Sequence, residues 1–547
     1  MSPPAEPLST NPTQPAERGT PTAMPSWLSS GIIWLLLSAI FALVSLGRVT
    51  IPGVNEPHYL TKARHYWQPE WCQPAPHAEW PRGDVFLDSE NPHEFFYATI
   101  GYLAVALPLS AAAWYGRLIG AGLLGLGWWR LCTALQVDQH HNWLRTCLSA
   151  AVFCMLTAAG NWSGEWVVGG VESKVPAYGL LLYGLGELLL GHPLRGGLVL
   201  GLAISFHPLV GVWGLLASGG MLLWSSLRGS PLHGSGISWV GGAAVCALFA
   251  LPGLWPALRL LFDADPQQAV VADFLMVSQR LKHHLDPLAF PVSNWRYLTC
   301  LLVTWGLLRL SLPGNLQERR WEMFVLLTVL VAGLGVLVAW TPRPMQLGTY
   351  GGWQLKVLKF YPFRLADALV PMVLAWTLTV YLEDRMRQRW GAFSEAGWPV
   401  AAGFGSVLCV ALAISIPGPD RRSSGMTLQQ EADWIACCHW IREHTPTDAV
   451  LYATNERWAV KWFAERSEYV NYKDCPQDAA SLVEWNRRQW VISKWREAAF
   501  QDWKVTQAEL IDLRQQTGIT HLLSSRFGPV TLEPVFSQGV FRVYELP

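Results

Sequence analysis

Long apolar runs almost free of charge fill the first three quarters of this chain, and they dictate what it can fold into. They cover residues 31–47, 95–113, 116–135, 144–160, 175–191, 195–206, 208–225, 237–262, 295–311, 321–340, 363–382 and 398–416. Most approach the roughly 20 residues that an apolar helix needs to cross a bilayer. Lipid offers no partners for backbone N–H and C=O groups, so such runs become helices that satisfy their own backbone. The charges are distributed to match. Residues 420–547 hold 32 of the 80 charged side chains, and the first 419 residues hold the other 48. The first density is that of an ordinary soluble protein, about 25%; the second is less than half of it. The predicted fold class is therefore a polytopic α-helical membrane protein of about 11 spans, range 10–13, with a small α/β extramembrane C-terminal domain.

Residues 1–30 are rich in Pro, Ser and Thr and read as a disordered cytoplasmic tail. Residues 31–419 read as the transmembrane domain, with 48–94 as a long first outer loop. Residues 420–547 read as the soluble α/β C-terminal domain. There, short β-type runs at 449–454, 468–472, 519–525 and 540–546 alternate with helical patterns at 428–444 and 478–499. The first loop carries seven acids against four bases, together with Trp67, Trp71 and Trp80. The chain has 31 Trp, a residue that favours the membrane interface, so this loop should lie along the membrane surface.

The positive-inside rule orients the spans. Arg195, Arg228, Arg319/Arg320 and Arg385/Arg387/Arg389 mark cytoplasmic turns. Residues 48–94, 161–174, 263–294, 341–362 and the C-terminal domain then lie outside. Those assignments agree only if 95–135 contributes an odd number of spans, so one of its two runs should be interfacial or re-entrant. The membrane expected is a bacterial inner membrane. Net charge is zero and no basic stripe is present, which excludes nucleic acid as a partner. The ten Cys show no CxxC spacing and no disulfide framework; one bridge among Cys72, Cys437, Cys438 and Cys475 is left open.

Charge near lipid is costly, so charged clusters in a sparse region point to function. Glu56 and His58 follow the first span in Asn55-Glu56-Pro57-His58. Asp88 and His93 precede the next apolar run, so both ends of the loop bring acids and imidazoles back to the membrane surface. Glu165, Glu172 and Lys174 belong to the glycine-rich string GEWVVGGVESKVPAY. His207 lies in FHPLVG. Lys356 and Lys359 precede YPFRLADAL, which contains Arg364 and Asp367. Carboxylates at the surface suit a general base or a divalent cation, Mg or Mn. A guanidinium at the boundary suits a phosphate. The plainer alternatives are solvated acidic loops, an interfacial Arg364–Asp367 helix pair and a satisfied core histidine. Arg457, Lys461 and Arg466 read as a solvated helix face. Walker, GxGxxG, GxSxG and HExxH motifs are missing, which takes support from ATP-driven transport and from soluble-type hydrolase chemistry.

These strings and their order resemble the integral-membrane glycosyltransferases of the GT-C superfamily, over most of residues 31–416. The resemblance implies transfer of a sugar from a polyprenyl-phosphate-linked lipid to an extracytoplasmic acceptor. It implies Glu56 as the base, Glu165 or Glu172 as the second acid, and Lys356, Lys359 and Arg364 as the phosphate clamp. His58, Asp88, His93, Lys174, His207 and Asp367 would complete the substrate site. The first-loop motif departs from the superfamily's usual Asp or acid pair, since here it reads Asn-Glu-Pro-His. Two other readings stay open: a noncatalytic scaffold or sensor with a soluble binding domain, and a lipid or solute transporter. A transporter should carry mid-span charge, and Glu187 is the main example here.

Overall fold

The computed structural model describes residues 26–74, 83–136, 142–348, 352–391, 393–454, 458–499, 501–502, 504–525 and 530–547. The expected tail lies outside these as far as residue 25, as do Trp80 and Arg457. The first helix begins at Ser26, five residues before the expected start of the first span.

Among the described residues, seven stretches are long and apolar enough to cross a membrane: Ser30–Arg48, Leu109–Leu135, Pro208–Leu227, Gly236–Phe262, Leu316–Val338, Gly352–Trp390 and Gly397–Ser415. Asn142–Ala159, Lys174–Leu189, Pro193–Phe206 and Val292–Ser311 are further helices in the apolar runs. The chain is an integral membrane protein. The run at 95–113 is not a span. It breaks into Glu94–Ala98, Ile100–Tyr102 and Leu103–Ala106, and a single long helix, Leu109–Leu135, follows. The region thus supplies the odd number that the charge pattern requires. Pro193–Phe206 has 14 residues. At 1.5 Å per residue it reaches about 21 Å, short of the ~30 Å hydrocarbon core. In Gly352–Trp390 the apolar 18-residue window is 78% buried inside the bundle, whereas that of Gly397–Ser415 is 17% buried. Glu187 sits in the last turn of its helix, paired with Arg130 at 2.7 Å and His192 at 2.8 Å.

The C-terminal part holds a five-stranded sheet of order β2-β1-β3-β5-β4. Its strands are β1 Val450–Ala453, β2 Ser467–Glu468, β3 His521–Ser524, β4 Phe536–Gln538 and β5 Phe541–Glu545. β1 runs parallel to β2 and β3, and β5 is antiparallel to β3 and β4. Side chains alternate between faces along each strand. Leu451, Leu523 and Val543 pack with Trp434, Cys438 and Ile441 of helix Leu428–His444. Their neighbours Tyr452, Leu522 and Tyr544 join the cluster of Leu482, Trp485 and Leu510 from the helices on the other side. Burying each large apolar side chain contributes about 1.5–3 kcal/mol. Thr427 with Gln430 and Thr506 with Glu509 form capping boxes that start two of these helices. All ten Cys are free thiols, so the bridge left open by the sequence is not formed.

One buried lysine joins this part to the first loop. Lys461 Nζ lies 2.9 Å from Glu468, 3.0 Å from Asp474 and 3.3 Å from Asp84. Asp84 also accepts the backbone N–H of Phe86, Leu87 and Glu468. Lys461 and Arg466, read as a solvated face, are both buried: Lys461 against Asp84 of the first loop, and Arg466 against the carbonyls of Arg442, Thr445 and Glu465. Three carboxylates hold the Lys461 ammonium charged and raise its proton affinity against the cost of burial.

Candidate active site

Two buried carboxylates pin the two ends of the loop that follows helix Asn142–Ala159. At one end, Asp367 accepts the backbone N–H of Trp162 (2.6 Å), Ser163 (2.8 Å) and Glu165 (2.9 Å), and the Ser163 hydroxyl. At the other, Glu56 accepts Val171 N–H at 2.9 Å and Gly53 N–H at 2.7 Å. Arg117 closes on Glu56 with a fork of 2.6 and 2.8 Å, and spends its other N–H groups on Val49 and Thr50 carbonyls. Gly170 allows this approach: a Cβ there would come within 3.1 Å of the Glu56 side chain. The loop so held carries Glu165, Glu172 and Lys174 to a cavity.

The cavity has a volume of about 320 Å³, within the ~300–1,000 Å³ usual for small-molecule sites. Its polar side gathers His58, His93, Glu165, Glu172, Lys174, His207, Lys359 and Arg364, eight of the twelve residues singled out by the sequence. Lys174 bridges the two acids, 3.1 Å from Glu172 and 3.6 Å from Glu165, over the face of Trp166. Asn55 donates to Glu172. Arg364 reaches Glu165 at 3.4 Å and His207 at 3.1 Å, stacked on the Tyr361 ring. Its Nε is buried without a hydrogen-bond partner among the described residues. Tyr361 adopts the left-handed region (φ 54), and its hydroxyl donates to Ser163 O, a bond that holds the ring under the guanidinium against the backbone strain. Lys359 pairs with Asp273 at 2.7 Å. Burial, with Arg364 and His58 nearby, pushes His93 down to about 3, so its imidazole is neutral. Ala257, Leu260, Leu261, Leu209 and Leu285 make an apolar wall.

Four expected site residues lie elsewhere. Glu56 is sealed behind the loop, every oxygen engaged. Asp367 is likewise consumed in holding backbone. Asp88 is bound by His65 (3.0 Å) and Gln73 (3.1 Å) on the outer side of the first loop. Lys356 is exposed; helix Gly352–Lys359 is short and buries Leu355 and Leu358, which turns Lys356 away.

The cavity also takes residues that the sequence did not mark. Arg280 comes from a π-helical turn, Leu275–Arg280, a geometry frequent at functional sites. His283 and His284 follow it, a pair without any motif spacing in the sequence. His284 Nδ1 lies 2.6 Å from Ser163 O, so Gly164 (φ 81) is required there; a Cβ would stand 2.4 Å from the ring. Lys473, Cys475 and Gln477 come from the C-terminal part, remote in sequence and without a local signature. The donor set does not suit a divalent cation. An ammonium already sits between Glu165 and Glu172, and the described residues include no group of three or more His, Cys, Asp or Glu arranged to hold one.

A family model described as "Domain of unknown function (DUF6798)" matches residues 432–492. No curated protein matches the chain. Among solved structures, the chain is similar to ArnT from Cupriavidus metallidurans bound to undecaprenyl phosphate, with 11% identity, 95% of this chain and 98% of that chain covered, and a TM-score of 0.48. It is also similar to the Archaeoglobus fulgidus oligosaccharyltransferase in complex with Zn and sulfate. There the identity is 13%, the coverage 90% of this chain and 67% of that chain, and the TM-score 0.45.

Proposed function

We propose that the chain is a membrane glycosyltransferase of the GT-C kind that moves a sugar from a polyprenyl-phosphate-linked donor to an acceptor hydroxyl outside the cytoplasm. The observation that carries this reading is the cavity: a cation-rich polar floor beside an apolar wall, at the ends of the bundle helices. A polyprenyl-phosphate donor has the same two characters, a charged head on a hydrocarbon chain. Arg364 offers a planar fork, with a buried Nε–H that has no partner among the described residues, to phosphate oxygens. Lys174, Lys359, Arg280 and Lys473 add positive charge around it. Leu209, Leu260 and Leu261 give the first carbons of the lipid an apolar surface.

In the reaction the acceptor oxygen bonds to the anomeric carbon, and the bond from that carbon to the phosphate oxygen breaks. The phosphate leaves with the electron pair. Arg364 and Lys174 offset the charge that grows on it; one such contact typically gives about 10²–10³ in rate. Glu165 and Glu172 face the same space and offset the positive charge that develops on the sugar ring. The division into a transmembrane part, 31–419, and a C-terminal domain, 420–547, outside the cytoplasm of a bacterial inner membrane belongs to the same proposal.

The test is a mass-spectrometric comparison of polyprenyl-linked sugars in membranes with and without the protein. One lipid-linked sugar should accumulate on deletion, and Arg364→Gln should reproduce the accumulation. An unchanged lipid pool overturns the reading and favours a scaffold or sensor.

A further inference from the structure

The base for this reaction is not supplied by the sealed Glu56, and Glu165 and Glu172 both hold Lys174. Another pair of groups meets at the cavity from two distant parts of the chain. His58, in the first turn of helix Glu56–Trp67, lines the cavity. Its Nδ1 lies 3.4 Å from Asp474 Oδ1, and the other oxygen of Asp474 lies 3.0 Å from Lys461. Lys473 and Cys475 line the cavity, while Asp474 between them turns into the Lys461 cluster. The His58 ring rests on Phe86, centroids 4.3 Å apart.

We infer that His58 and Asp474 form a catalytic dyad across the junction of the first loop and the C-terminal part, in which Asp474 orients the imidazole that removes the acceptor hydroxyl's proton. The inference rests on the glycosyl-transfer reading for its chemistry. A carboxylate facing Nδ1 keeps the hydrogen on that nitrogen and leaves the Nε2 lone pair for the cavity. At 3.4 Å the two groups face each other without a hydrogen bond, and the buried Nδ1 has no other partner among the described residues; such contacts tighten when substrate closes a site. In the step, the acceptor O–H proton passes to Nε2 as the new carbon–oxygen bond forms and the phosphate departs with its electron pair. The imidazolium, stabilised by Asp474, then returns the proton to water. The charged and titratable groups around His58 are Asp474, Lys473, Arg280 and His93. Burial, the largest influence, lowers its proton affinity; Asp474 opposes this, and Lys473 and Arg280 add to it, so the resting ring is the neutral form a base requires. Of the cavity's other histidines, His207 is engaged by Arg364, His284 by the Ser163 carbonyl and His93 by the Ser173 hydroxyl.

Histidine-selective nitrogen NMR on the purified full-length protein tests the pairing directly. Asp474→Asn should move the His58 titration down by about one pH unit, the effect of losing one close charge partner. Lys461 keeps Asp84 and Glu468 in that variant, and a thermal melt checks that the fold survives. An unmoved His58 titration overturns the pairing. Transfer rates test the role. His58→Gln should lose about 10²–10⁴-fold. Asp474→Asn should lose less, and the double variant should be no slower than His58→Gln alone. Full activity in His58→Gln, or losses that simply multiply, overturns it. If the wild-type protein transfers no sugar from any lipid-linked donor, the glycosyltransferase reading fails, and with it the base role; the NMR arm still decides whether the dyad exists.

Discussion

Glu56 and Glu172 look alike in the sequence: each is an acid beside a span in a region poor in charge. The structure gives them opposite surroundings. Glu56 has Arg117 and two backbone N–H groups on its two oxygens and no exposed surface. Glu172 shares Lys174 with Glu165 on the wall of a cavity. A carboxylate whose lone pairs are all used holds the chain together; one that faces open space next to a cation can act on a ligand. The difference is in the partners, and in the Arg117 guanidinium above all.

The largest effect should fall on the sealed site. Glu56→Gln leaves a buried guanidinium without its counter-charge, which costs about 3–5 kcal/mol of stability. The expected outcome is a large fall in melting temperature of the detergent-solubilised protein, not a folded inactive enzyme. A folded protein of wild-type stability would erase the contrast. Next comes Glu172→Gln, which should lower sugar transfer by about 10²–10³ with the melting temperature little changed; Lys174 keeps Glu165 as its partner. Equal losses of stability in the two variants would show that the acids do the same job.

A smaller effect sharpens the comparison through pH. Burial holds the folded-state proton affinity of His93 at about 3, below the ordinary 6.5 of an unfolded chain. The unfolded state therefore binds the extra proton first. The contribution to stability is complete above about pH 6.5 and is lost as pH falls from there toward 3. His93→Asn should flatten the dependence of melting temperature on pH in that window. The smallest effect belongs to Lys356→Gln. An exposed side chain outside the cavity should shift stability by no more than about 0.5 kcal/mol and leave transfer unchanged, whereas Arg364→Gln abolishes it.

Much of the fold was legible because lipid imposes simple rules on sequence. Most apolar runs became single helices, the charge pattern required an odd number of spans in 95–135, where 95–113 broke into short pieces, and the alternation after residue 420 became a sheet with both faces covered. Of the site, Glu165, Glu172, Lys174, His207 and Arg364 were legible as charged or polar groups where charge is rare. Asp367 and Asp88 carried the same signal for another reason, the satisfaction of backbone and of a neighbouring imidazole. Arg280, His284 and Lys473 carried no signal, since none lies in a motif and Lys473 comes from a part of the chain with ordinary charge density.

By itself, then, the sequence determined that this chain lives in a membrane, where most of its helices run, which short segments concentrate charge, and that a small sheet with helices lies toward the C-terminus. Those properties follow from local composition and periodicity, because solvent and lipid act on each segment separately. Only the tertiary structure decided which acid is sealed and which is open, that Lys461 binds the first loop to the C-terminal part, and that Asp474 meets His58 more than 400 residues away along the chain. A charge is catalytic or structural according to its nearest partners, and partners brought together by folding leave no pattern in the segments that supply them.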